Sequence, residues 1–65
     1  MELPIRLDHF LKVCGMAQTG GHAKLLIVDG CVSVNGVVDT RIRRKLHAGD
    51  VIEVEGQRFV VSNNA

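Results

Sequence analysis

Sixty-five residues, 46% hydrophobic and 23% charged, suit one small domain spanning residues 1–65. Eight Lys and Arg against seven Asp and Glu give a net charge of +1, which excludes a general polycation but not a local anion site. The longest apolar run, Leu25 to Val28, is far below a membrane span, and Met1 to Ile5 has no basic n-region or apolar stretch of a secretion signal. A cytoplasmic protein without a membrane partner is the expectation. A chain this short buries only about 60% of its unfolded surface, so modest stability is expected.

Leu3-Pro4-Ile5 cannot open a helix, because the residue before proline is pushed towards extended conformation. Ile5 is expected either in the core or in the sheet. Leu7, Phe10, Leu11 and Cys14 follow the i, i+3, i+4, i+7 stripe of an amphipathic helix, with Asp8 in its first turn and Gly15 ending it. Met16-Ala17-Gln18 connects to a second helix for which Thr19 is the N-cap. Ala23, Leu26 and Ile27 share one face of that helix, while Leu25 and Val28 lie opposite, so the segment is apolar nearly all round. Periodicity alone does not separate it from a buried strand; the cap, the alanine and the glycine boundaries favour helix. Leu25 and Val28 are then either covered by the sheet or exposed for a partner.

Asp29-Gly30 stops the helix. Val32 and Val34 alternate with Ser33 as a half-buried strand, Asn35-Gly36 is a two-residue hairpin signal, and Val37-Val38 return as its partner. Asp39 to Lys45 is irregular and basic, with Ile42 an inward anchor. Ala48-Gly49-Asp50 reads as a turn, Val51 to Val54 as a strand, Glu55-Gly56-Gln57 as a turn and Phe59 to Val61 as the last strand. Asn63-Asn64-Ala65 should fray. The expected fold class is α+β, two N-terminal helices packed on a small antiparallel sheet of short strands.

Gly30-x-Val32-x-Val34-Asn35-Gly36, preceded by Ala23-x-x-Leu26-Ile27, resembles the RNA-binding module named after ribosomal small-subunit protein four, the S-four domain or alpha-L motif. Arg6-Leu7-Asp8-x-x-Leu11 fits that module's opening and Leu46-x-x-Gly49-Asp50-x-Ile52 its close, so the resemblance runs from about residue 5 to 61. It implies a non-catalytic domain binding structured RNA, rRNA or tRNA, free or within ribosomal particles. The stand-alone branch of the family tends to carry a basic stretch before Lys-Leu-x-x-Gly-Asp, as Arg41, Arg43, Arg44 and Lys45 do here. It also often shows Gly-Gly with Ala-Lys, as at Gly20-Gly21 and Ala23-Lys24. The broader family commonly has Ser-Arg where Thr19-Gly20 stands.

Arg41, Arg43, Arg44 and Lys45 place half of the Lys and Arg residues within five positions. Arginine's planar fork suits bidentate phosphate contact and lysine adds a point charge. Such a run by itself more often makes surface ion pairs, here with Asp39, Asp50 or Glu53; the resemblance reverses that preference. Thr19, Gly20, Gly21 and Lys24 form a second candidate, where a helix N-terminus and two glycines let a phosphate approach the backbone. It lacks the length and Lys-Ser/Thr ending of a nucleotide-binding loop, and the alternative is a plain capped helix. Arg6 and Lys12 lie off the apolar stripe as further candidates; the resemblance makes Arg6 a candidate backbone contact, and each reads equally as simple surface charge. Asn35 matches a family position near the RNA-facing turn, though turn geometry alone also explains it.

Cys14 with His9, His22 or His47 evokes a nucleophile and base, but Cys14 sits on the core stripe and no third orienting group has useful spacing. The three His and two Cys make no zinc pattern, so neither catalysis, metal nor cofactor is expected. Cys14 and Cys31 read as reduced, packed thiols, with a disulfide left open. With no Trp or Tyr, and Phe10 and Phe59 both reading as core, there is no base-stacking platform; recognition would rest on RNA shape and backbone. The competing reading is a protein-interaction module of the same fold, permitted by the near-neutral charge and by Leu25 and Val28. A helix-turn-helix DNA binder needs a polar recognition helix, unlike Leu25-Leu26-Ile27-Val28. A ubiquitin-like sulfur carrier needs a C-terminal Gly-Gly, and this chain ends Asn-Asn-Ala. The oligomeric state is open, with a monomer assumed.

Overall fold

The computed structural model describes residues 2–62; the expected fraying of Asn63-Asn64-Ala65 lies outside the described residues. Its elements run β1 (Ile5–Arg6), α1 (Leu7–Val13), α2 (Gly20–Val28), β2 (Val32–Val34), β3 (Val37–Val38), β4 (Lys45–Leu46), β5 (Val51–Val54) and β6 (Gln57–Val60). The α+β class and both helices agree with the sequence pattern.

Helix α1 buries Leu7, Phe10 and Leu11, with Cys14 half-buried just beyond its end. No side chain caps its start. Instead the orphan N–H groups of Leu7 and Asp8 donate to the carbonyls of Arg44 (2.8 Å) and Ile42 (3.2 Å), so the basic segment serves as the helix's cap. Helix α2 starts as expected, the Thr19 hydroxyl accepting from the His22 N–H at 3.1 Å. It ends in a Schellman motif: Gly30 N–H donates to the Ile27 carbonyl and Cys31 N–H to the Leu26 carbonyl. Gly30 takes φ +78° there, a conformation that costs any residue with a Cβ. Ala23 and Ile27 face the core, whereas Leu25 and Val28 are 63% and 57% exposed, which settles their position in favour of solvent.

The strands form two sheets where one was expected: a four-stranded sheet in the order β3-β2-β5-β6 and a two-stranded ribbon of β1 with β4, all antiparallel. The reason lies in Ile5 and Leu46. Both are buried, they sit opposite each other in register, and burying them together draws β4 away from β3 to the start of α1. Ile5 therefore joins both the core and a sheet. Asn35 (φ +53°) and Gly36 (φ +84°) make the two-residue turn between β2 and β3. Glu55 and Gly56, both at positive φ, make another between β5 and β6, so β6 begins at Gln57, two residues before the expected start.

Val32, Val34, Ile52 and Val54 line the inner face of the larger sheet and close a core with Leu7, Phe10, Leu11, Ala17, Ala23, Ile27, Leu46 and Val61. Ile42 and Phe59 pack against it partly buried. Cys14 and Cys31 are free thiols; burial pushes the Cys14 thiol pKa up. Among the described residues no helix is long and apolar enough to cross a membrane.

Candidate nucleic-acid interface

The chain from Asp39 to Arg44 leaves the end of β3 and returns as β4, and it is tied down at three places. Asp39 N–H donates to the Val32 carbonyl (3.0 Å), Arg44 N–H donates to the Arg41 carbonyl (3.2 Å), and the Ile42 and Arg44 carbonyls cap α1. Half-buried Ile42 adds an apolar anchor, as its place in the sequence suggested. Arg41, Arg43 and Arg44, with Lys45 next in β4, therefore ride on a backbone tied to β2 on one side and to α1 on the other.

At the centre is the Asp39 side chain, 6% exposed. Its Oδ1 accepts from the Arg41 N–H (2.9 Å) and Arg41 Nε (3.1 Å), and its Oδ2 from Arg41 Nη2 (2.9 Å) and Arg44 Nη1 (2.6 Å). The Arg41 hydrogen bonds hold the Asp39 carboxyl well below the usual carboxylate range, overriding the opposite pull of burial, and they raise the Arg41 guanidinium in turn. Arg43 and Lys45 are exposed and make none of the ion pairs among the described residues.

The β1–β4 ribbon brings in Arg6. Its register sets Arg6 opposite Lys45 with both exposed, while Ile5 and Leu46 fill the core side. Arg6 is forked onto Asp8, itself buried, through Nε (3.1 Å) and Nη2 (2.9 Å). Arg6, Arg41, Arg43, Arg44 and Lys45 are thus one neighbourhood, five cations against the two carboxylates Asp8 and Asp39.

Of the three acids that could have neutralised the basic segment, Asp39 alone forms direct ion pairs with it, while Arg44 acts on Asp50 only as a nearby charge. Asp50 is occupied by the His47 N–H (2.8 Å) and the Asn35 Nδ2 (3.1 Å), bonds that lower its pKa, the His47 one most. Glu53 faces out of the larger sheet opposite Arg58.

The remaining candidates lie elsewhere. Lys12 is exposed in the last turn of α1; Thr19, Gly20, Gly21 and Lys24 sit at the start of α2. A Cβ on Gly20 would meet nothing within 4 Å, so that turn is open to approach. Among the described residues no hydrogen bond or ion pair links this group to the basic segment. Asn35 is in the β2–β3 turn with both ends of its carboxamide engaged, Nδ2 to Asp50 and Oδ1 from the Val51 N–H at 2.9 Å. Sequence reasoning missed Asp8 and Asp39 as buried anchors. The spacings Arg6-x-Asp8 and Asp39-x-Arg41 were the available signal.

The architecture defines a class: a small α+β module whose two helices and short antiparallel strands carry a basic segment between two hairpin-like halves. Residues 2–62 match the family model described as the S4 domain, and the chain belongs to that family. It is similar to the "Probable ribosome maturation protein RlbA" of Bacillus subtilis (strain 168), 46% identical over 52 residues, covering 80% of this chain and 73% of that protein. It is also similar to the "Putative RNA-binding protein YbcJ" of Escherichia coli (strain K12), 38% identical over 57 residues, covering 88% of this chain and 81% of that one.

Proposed function

We propose that this protein is a non-catalytic, cytoplasmic RNA-binding module that acts as a single domain. It takes structured RNA, rRNA or tRNA, free or within ribosomal particles, by shape and phosphate contacts. Arg6, Arg41, Arg43, Arg44 and Lys45 form the principal face; Lys12, Thr19, Gly20, Gly21, Lys24 and the Asn35 turn are flanking contacts. The observation that carries this reading is the register of Arg6 opposite Lys45. Like charges directly opposite across a strand pair repel, and two more cations in this neighbourhood, Arg43 and Arg44, immediately precede Lys45 in the chain. A row of phosphates relieves that repulsion. The names of the two relatives, one a ribosome maturation protein and one an RNA-binding protein, support the same reading. Buried Phe10 and half-buried Phe59 leave base stacking no platform, which favours shape and backbone as what is recognised.

The test is a titration with structured RNA and with duplex DNA across salt concentrations, for wild type and Arg41/Arg43/Arg44→Ala. Engagement of about three phosphates gives a log–log salt slope near −2 to −3 that flattens in the variant. Unchanged affinity in the variant would remove this face from consideration. A second reading, a protein-interaction module, is favoured by the exposure of Leu25 and Val28. No RNA binding even at low salt, with an RNase-resistant protein partner recovered, would put it first.

A further inference from the structure

We propose that Asp39 is a positioning residue: it aims the guanidinium groups of Arg41 and Arg44 at RNA phosphates, and its removal weakens binding although the protein becomes more positive. The inference rests on the RNA-binding reading above. The donor and acceptor count supports it. A carboxylate offers about four lone-pair sites, and all four are taken, three by Arg41 and one by Arg44. An arginine has about five N–H donors. Arg41 gives two of its guanidinium donors to Asp39 and Arg44 gives one, so most of both forks stays free for an incoming oxyanion. The Arg41 side chain remains 69% exposed, open to such a ligand while its orientation is set from below.

The carboxylate is fixed as well. Asp39 N–H is bonded to the Val32 carbonyl at the start of β2, and its side chain is almost wholly covered. Arg44 is held at its other end through its carbonyl, which accepts from Leu7. Two long side chains that would otherwise sample many rotamers are therefore referenced to the sheet and to α1. Ordering them in advance removes an entropy cost from binding. Arg43 and Lys45, which make no such ion pair, supply attraction without direction.

Charge and position predict opposite signs, which makes the idea testable. Asp39→Asn removes a negative charge beside the face, so attraction alone predicts tighter binding. Positioning predicts about tenfold weaker binding to a stem-loop RNA, from the rotamer freedom returned to two arginines. Affinity for flexible single-stranded polyuridylate should be equal or higher in the same variant. Arg41→Lys keeps the charge, loses the fork and alters only an exposed side chain; it should weaken stem-loop binding likewise, and it serves if Asp39→Asn does not fold. The Arg41 Nε–H resonance gives a readout without RNA: it should be shifted and slow to exchange in the wild type and move to the position of free arginine in Asp39→Asn. Stem-loop binding by Asp39→Asn equal to or tighter than wild type overturns the proposal, as does an Nε–H signal indifferent to the substitution. A wild type that ignores the stem-loop overturns the RNA-binding reading itself, and the role of Asp39 with it.

Discussion

Arg6 and Lys45 face each other across two two-residue strands, and the same register presses Ile5 against Leu46 on the other side. The apolar pair holds the ribbon together; the cationic pair opposes it, in part offset by the Asp8 carboxylate that the Arg6 guanidinium grips. Lys45→Glu turns the repulsive pair into an attractive one, and cross-strand charge pairs of this kind are worth about 0.2–1 kcal/mol. The variant should therefore unfold at higher urea concentration while binding RNA less tightly. Chemical denaturation and an RNA titration on the same preparation check both halves. A gain in stability with no loss of affinity would place the RNA elsewhere.

Asp39 and Asp50 make stability depend on pH in one direction. Both carboxyls are held below the ordinary range, Asp39 chiefly by Arg41 and Asp50 chiefly by the His47 backbone N–H. In the unfolded chain an aspartate titrates near about 3.9. Below that pH the unfolded chain takes up protons that the folded protein still refuses, so the equilibrium moves towards unfolding; above it the contribution is fully present. Stability should be flat from neutrality to about pH 5 and fall steadily through pH 4 and below. Asp39→Asn should start lower at neutral pH and fall less steeply. Urea midpoints measured across that range decide the matter; equal slopes for the two proteins would mean that Asp39 contributes nothing to the acid limb.

How far the sequence was legible follows from how local each cause is. The stripe Leu7, Phe10, Leu11, the Thr19 cap, the Gly30 stop and the Asn35-Gly36 turn each depend on residues within a few positions, and each formed where the pattern placed it. The β1–β4 ribbon was not legible, because Ile5 and Leu46 lie far apart in the chain and each strand is too short to show alternation. Leu25 and Val28 illustrate another limit. A helix apolar all round has no periodicity to say which face the core will take, and only packing decided that Ala23 and Ile27 go in. At the candidate site, the cations were plain from composition. The choice of Asp39 over Asp50 and Glu53 as their counter-ion was not, since it depends on which carboxylate the fold buries beside them. The cap that the basic segment places on α1 was hidden for the same reason, being made by backbone carbonyls that any residue carries.

Asn35 offers a separable test of the larger sheet's scaffold. It sits at φ +53°, where asparagine is tolerated better than most residues, and its side chain ties the β2–β3 turn to Asp50 and to the Val51 N–H. An alanine there would combine backbone strain with two lost hydrogen bonds. Asn35→Gly removes the bonds without that strain, because glycine accepts positive φ freely, and adds only the greater backbone freedom of glycine in the unfolded chain. The neutral bond to Val51 is worth about 0.5–1.5 kcal/mol and the bond to the Asp50 carboxylate about 1.5–3 kcal/mol. Since both are solvent-exposed, the sum should fall near the low end, a loss of about 2 kcal/mol. The Asp50 carboxyl, deprived of one donor, should titrate closer to its ordinary value, because Asn35 is second only to His47 in holding it down. Thermal unfolding reads the first effect, and a carboxyl-carbon NMR titration of Asp50 reads the second. An unshifted Asp50 in a destabilised variant would trace the loss to the turn's backbone and not to the bond between Asn35 and Asp50.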